Sequence, residues 1–274
     1  AALKKKRWAI VYPNYEYGQA ATTAFKKQMI ALQPGGIEFV EQEARDRRVR
    51  GLREAIDLLD ARVPKGLGTK GRLRLDRGEM ERMMRKGARE LVDRGIGWEE
   101  DLEAMEENGR YPGADPAKVS ERAFSRGRDQ VGTLGSGNHF LEIQAVEDVS
   151  PTAEGLGLFE GQVVVMAHSG SRGLGHQVCT DYVEVMGATL GRYGYRLPDR
   201  QLVCAPVRSR EGSDYLAAMA AAANYAWANR QVMMHLARMS LEGTLGASAE
   251  ALDIRLVYDV CHNIAKFEIH EVEG

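Results

Sequence analysis

The sequence predicts an α+β fold with its chemistry gathered at strand ends. Three observations point there. Apolar residues recur at helical spacing in several segments, and short apolar runs of strand length stand between them. One such run leads straight into a loop of Ser, Gly and Arg. The 274 residues, 44% hydrophobic and 28% charged, suffice for one large domain or two small ones with a real core.

Residues 1–44 read as a strand–helix–strand unit. Trp8 to Tyr12 is a short apolar run, and Glu16 to Gln33 carries Ala21, Phe25, Met29 and Leu32 on one helical stripe. Pro34-Gly35-Gly36 ends that helix, and Ile37 and Phe39 begin a second extended piece. A βαβ of this size leaves a sheet face open, so it cannot stand as a domain by itself. After Arg45 the texture changes. Leu52, Ala55, Ile56 and Leu59 form a helical stripe stopped by Pro64 to Gly68. Met80, Met83, Met84, Ala88, Leu91 and Val92 form another, read as core. Val163 to Met166 is a strand leading into His168-Ser169-Gly170-Ser171-Arg172-Gly173. Leu202 to Ala205 reads as a short strand and Asp214 to Ser240 as a long Ala-rich helix. In Ile254 to His262 the even positions share one face of an expected strand.

Composition narrows the setting. No apolar run approaches the ~20 residues a membrane-spanning helix needs. Lys4 to Arg7 are followed by only five apolar residues before Pro13, too few for a signal peptide. Cys179, Cys204 and Cys261 cannot all pair, so a reducing, cytoplasmic location is expected. From Arg45 to Arg94 there are sixteen Lys/Arg and nine Asp/Glu. That surplus suits a phosphate-facing surface or a solvated helix face interleaved with acids, and charge alone leaves both open.

Three histidines stand in unusual settings. His139 follows Gly135-Ser136-Gly137-Asn138 and precedes Phe140-Leu141-Glu142, where close backbone approach and hydrogen-bonding groups meet a ring nitrogen. His168 ends an apolar strand and opens a loop whose amides and Arg172 can hold phosphate. His262 falls at a strand end on its apolar face, where an imidazole needs a partner. Singly, each reads as a structural histidine; jointly, they read as a metal site gathered from distant strands. His176, His235 and His270 are blander, and Cys261 reads as a core thiol.

Two resemblances follow from longer motifs. The run from Trp8 to Ala20, with Phe25-Lys26-Lys27, resembles a segment of type I solute-binding proteins for branched-chain amino acids, and is read as a foreign or fused piece over residues 1–44. Four others, Gly132 to Glu142, His168 to His176, Ala223 to Gln231 and Tyr258 to Lys266, together resemble RtcB-type RNA-splicing ligases across residues 45–274. That resemblance implies an RtcB-like core of β-sheets flanked by helices. It implies joining of RNA 2′,3′-cyclic phosphate or 3′-phosphate ends to 5′-hydroxyl ends, with GTP and Mn2+ as cofactors. In that family a histidine is guanylylated and passes GMP to the RNA 3′-phosphate. Carried over by residue, His139, His168 and His262 match metal ligands, and Asn138, Phe140 and Glu142 match guanylate contacts. Arg172, Arg126 and Gln130 match residues at the RNA phosphate.

Two departures matter. The family's Asp-x-x-Cys-Gly motif, which completes the manganese site, does not occur here, nor does the His-Gly-Ala-Gly-Arg motif of the guanylylated histidine. A truncated chain, inactive by itself, is therefore expected, with room for a further chain that supplies the missing segments. The alternative is a non-catalytic fragment that binds RNA or metal.

Overall fold

A computed structural model describes residues 7–8, 38–39, 43–151, 155, 157–199 and 202–269, with side chains from residue 53 onward. The chain divides into two compact units, Ala1–Leu58 and Leu59–Gly274. In the first, β1 (Arg7–Trp8) and β2 (Glu38–Phe39) pair in parallel, Arg7 opposite Glu38 and Trp8 opposite Phe39. The helix expected between them lies outside the described residues. The boundary between units falls within α1 (Glu43–Arg62), which ends just before Pro64, as the sequence predicts.

The second unit is built around one long helix. After α1 come α2 (Arg77–Lys86), α3 (Arg89–Val92), α4 (Glu99–Glu103) and α5 (Glu121–Gly127). Then follow β3 (Phe140–Ala145), β4 (Val163–His168), α6 (Arg172–Thr189) and α7 (Arg210–Leu245). The 36 residues of α7 extend about 54 Å at the usual helical rise. Ser209 caps its start by accepting from the Gly212 N–H at 3.1 Å, and Gly246 in the left-handed region ends it.

The methionine stripe is core, as predicted. Asp76 opens α2 with a capping box: its side chain accepts from the Glu79 N–H, and Glu79 accepts from the Asp76 N–H. Met80, Met83 and Met84 then point inward, with Leu91, Phe124, Leu174 and Tyr225. Gly87 breaks the stripe at φ +62°, where an added Cβ would stand 1.9 Å from the Gly109 carbonyl oxygen. The charged face of the same helices is interleaved with acids. Arg77 meets Glu81 and Glu121, Arg82 meets Glu90, and Arg94 meets Glu79. Over residues 77–94, the basic surplus belongs to a solvated ion-paired face.

Strands β3 and β4 form an antiparallel hairpin in which Phe140 pairs with His168, Leu141 with Ala167, Glu142 with Met166 and Ile143 with Val165. Alternation sends Leu141, Ile143, Val165 and Ala167 to one face, where they pack with Met233 and Ala237 of α7. The opposite face carries Phe140, Glu142, Met166 and His168.

Two expectations fail. Residues 202–205 form no strand, and residues 254–262 pair only through an isolated bridge between Met105 and Asp259. The alternation also changes phase. Ile254 and Leu256 are half-buried, but Tyr258 is 66% exposed and Val260 41%, while Asp259 turns inward. The reason is polar: Arg230, largely buried on α7, draws Asp259 toward it. Among the described residues no helix is long and apolar enough to cross a membrane.

Candidate active site

The fold brings the three singled-out histidines together. His139 immediately precedes β3, His168 is the last residue of β4, and His262 lies on the irregular segment after the Asp259 bridge. Hairpin register alone brings His139 near His168, since Phe140 and His168 are opposed. The ring centroids of His139 and His168 are 5.6 Å apart, and those of His168 and His262 5.2 Å, both edge-to-face. Phe140 packs edge-on against His168 at 5.3 Å. His262 is exposed, contrary to the apolar strand face expected for it.

Arg172 ties the group to the start of α6. Its Nη1 donates to His139 Nδ1 at 2.8 Å, and its Nε donates to Thr133 Oγ1 at 3.3 Å. A guanidinium can only donate, so His139 Nδ1 is the acceptor and the neutral ring carries its proton on Nε2. Burial first, then the charge of Arg172, holds His139 below the usual imidazole pKa. Arg172 sits at φ +54°, uncommon for a residue with a side chain, and strain of this kind clusters at functional sites. Gly135 makes room for it: at φ +96°, an added Cβ would stand 1.8 Å from a guanidinium nitrogen of Arg172.

The other expected residues fall into two groups. Gln130 Oε1 accepts from the Gly173 N–H at 2.8 Å, so it caps the first turn of α6 beside Arg172. Arg126 donates to Gln177 at 2.9 Å and meets His176 Nδ1 at 3.3 Å. Arg126, Gln130 and Arg172 thus converge on one helix start. Phe140 and Glu142 share the sheet face of His168, with Glu142 accepting from Gln144 at 2.8 Å. Asn138 is exposed at the tip of the preceding loop.

Three imidazoles suit a borderline metal ion in donor chemistry. Their donor atoms are not converged, however. Among the described residues no group of three or more His, Cys, Asp or Glu is arranged to hold a metal. His139 Nδ1 is also engaged by Arg172, so loading through that nitrogen requires the guanidinium to turn away.

Comparison with known proteins decides the family. The family model described as tRNA-splicing ligase RtcB matches residues 21–274.

The chain belongs to the RtcB family.

The likeness expected from the four motifs is borne out, and the RtcB match starts at residue 21, inside the segment for which sequence reading predicts another origin. The chain is 45% identical over 287 aligned residues to the tRNA-splicing ligase RtcB of Thermococcus kodakarensis, covering 98% of this chain and 59% of that protein. It is 46% identical to that of Archaeoglobus fulgidus, covering 96% and 57%. The chain therefore spans less than three fifths of the length of these RtcB relatives.

Sequence reasoning missed Asn229, Arg230 and Asp259. Asn229 and Asp259 are buried and Arg230 is largely so, its side chain 11% exposed. The signal available was a polar pair, Asn229-Arg230, in the middle of an otherwise Ala-rich apolar helix.

Proposed function

We propose that the chain is part of an RNA ligase that joins 2′,3′-cyclic phosphate or 3′-phosphate ends to 5′-hydroxyl ends, with GTP and manganese. The supporting observation is the proximity of His139, His168 and His262, separated in sequence by 29 and 94 residues, with Arg172 bonded to the first. In this reading the three imidazoles would hold the metal once their donor atoms converge. A divalent metal supplies charge neutralisation at phosphoryl oxygens. Arg172, released from His139 Nδ1, turns to the RNA phosphate, where a guanidinium binds two oxygens at once. Gln130 and Arg126 hold the first two turns of α6 under it, and Phe140 and Glu142 on the sheet face, with Asn138 in the loop before it, would meet the guanylate. The names of the RtcB relatives, which describe tRNA-splicing ligases, support an RNA substrate.

None of the six histidines in these 274 residues stands in a His-Gly-Ala-Gly-Arg context, so no residue here is assigned the guanylylated role. The 274-residue polypeptide by itself is proposed to bind rather than to ligate. The test is binding of two RNA oligonucleotides that differ only in a 3′-phosphate or 3′-hydroxyl end, with manganese present. Preference for the phosphate end that Arg172→Ala abolishes supports the reading. Equal affinity for both ends, or a preference that survives Arg172→Ala, counts against it.

A further inference from the structure

Two guanidiniums on α7 each have a carboxylate, Arg230 with Asp259 and Arg238 with Asp101. Arg172 differs: it is half-buried, burial opposes its charge, and among the described residues no carboxylate is ion-paired with it. A guanidinium in that state suits an anion that arrives from outside. Its backbone, at φ +54°, persists only where surrounding contacts over-determine it. Those contacts come from one short stretch, residues 130–135. Gln130 Oε1 accepts from the Gly173 N–H, Thr133 Oγ1 accepts from Arg172 Nε, and Gly135 leaves the space that the guanidinium fills.

Thr133 is the centre of that stretch. It is 1% exposed, and each of its polar groups is engaged. Its hydroxyl donates to the Gln130 carbonyl at 2.8 Å, which uses its only proton, so toward Arg172 Nε at 3.3 Å it acts as an acceptor. Its N–H donates to Asn229 Oδ1 at 3.1 Å, and its carbonyl accepts from Asn229 Nδ2 at 3.2 Å. Asn229, fully buried on α7, thus grips both sides of Thr133. The same Nδ2 lies 3.1 Å from Ser169 Oγ and 3.2 Å from the Gly170 carbonyl, in the segment that leads into Arg172.

We infer that Thr133 is the positioning residue for Arg172: its hydroxyl, locked from α7 by Asn229, seats Nε while the Nη atoms exchange His139 for an RNA 3′-phosphate. The inference rests on the reading of Arg172 proposed above and needs no metal. Without the seat the guanidinium plane turns freely, and its fork no longer matches two phosphate oxygens. Serine keeps the hydroxyl, and valine keeps the shape without it, so the two replacements separate the seat from packing.

The experiment has two readouts on the 274-residue chain in EDTA. The first is the affinity ratio for RNA oligonucleotides with a 3′-phosphate or a 3′-hydroxyl end. The second is solvent exchange of the Arg172 Nε–H, followed by nuclear magnetic resonance without RNA. Both are measured for wild type, Thr133→Val, Thr133→Ser and Met84→Ala, a core change that reports general destabilisation. The ratio is also measured for Arg172→Ala with and without Thr133→Val. Thr133→Val should lower the ratio about 3- to 10-fold, the worth of one hydrogen bond, and Thr133→Ser by less than about twofold. Met84→Ala should leave the ratio unchanged, and Thr133→Val should lower it no further once Arg172 is alanine. Exchange of the Nε–H should quicken in Thr133→Val alone. A Thr133→Val ratio equal to wild type overturns the inference where wild type prefers the phosphate end. Equal losses in valine and serine, a valine effect that survives Arg172→Ala, or exchange that is unchanged in valine or quickens equally in Met84→Ala also overturn it. Wild type with no phosphate preference, with exchange still quickening in Thr133→Val alone, overturns the phosphate reading and leaves the seat standing.

Discussion

Replacing Asp101 by asparagine probes the most deeply buried charge pair described in the chain. Asp101 and Arg238 have side chains 1% and 4% exposed, joined by two bonds of 2.6 and 2.7 Å. The carboxylate also accepts from Gln231 Nε2 at 2.8 Å and the Trp98 N–H at 2.9 Å, and Arg238 stacks 3.5 Å from the Trp98 ring. An uncharged partner leaves the guanidinium buried without compensation, a loss of about 3–5 kcal/mol and a large share of the roughly 5–15 kcal/mol that holds a typical domain together. Equilibrium unfolding in urea at pH 7 measures it. A loss below about 1 kcal/mol, the value of an exposed pair, would refute the reasoning. Replacing both partners, Asp101→Leu with Arg238→Met, should recover most of the loss, because no charge is left unpaired. The pH dependence carries a second check. Burial works against the Asp101 charge, but the bonds from Arg238, Trp98 and Gln231 outweigh it and hold the carboxyl below its ordinary pKa. A depressed folded-state pKa gives stability that is present above the unfolded value of about 4 and lost as pH falls through the folded one. Wild type should therefore lose stability below about pH 4 more steeply than Asp101→Asn.

Four further outcomes are expected. Arg172→Ala should weaken binding of a 3′-phosphate RNA end about 10- to 100-fold, the worth of a hydrogen bond to a charged group, while tightening manganese binding by freeing His139 Nδ1; both are titrations on one variant. Gly135→Ala should displace the Arg172 guanidinium and reproduce the RNA defect of Arg172→Ala, since the new methyl would occupy its place. Met84→Ala, fully buried among Met80, Met83 and Tyr225, should cost about 2–5 kcal/mol in urea unfolding and leave RNA-end preference intact. Tyr225→Phe should cost about 1–3 kcal/mol by leaving the buried Gly127 carbonyl without its 2.8 Å partner.

The stripe of Met80, Met83 and Met84 was legible because one helical face is buried, whereas the helix around Ala223 and the strand at Val163 were legible as continuous Ala-rich and apolar runs, and each is found. Helix α6 escaped notice because Gly173, Gly175 and Gly187 weaken its propensity, and it holds through packing on α5 and α7. Strand β3 carries Glu142 and Gln144 on its outer face, so its apolar content is low, and its partner lies beyond a connection of 17 residues. The alternation of residues 254–262 misled for a related reason. Apolar spacing cannot report a buried guanidinium on another element, and Arg230 reverses the phase at Asp259. His139, His168 and His262 were legible as candidates from their loop and strand-end settings and from motif resemblance, whereas the contacts of Asn229 and Arg230 join segments far apart in sequence, which no local pattern encodes.

The central proposal is that His139, His168 and His262, whose donor atoms are not converged in this structure, come together on the metal. Electron spin-echo modulation of bound manganese detects imidazole nitrogens directly. Coupling from more than one histidine is predicted, decreasing in each of His139→Ala, His168→Ala and His262→Ala. Manganese that binds without imidazole coupling, or with coupling unchanged in His168→Ala, would contradict it.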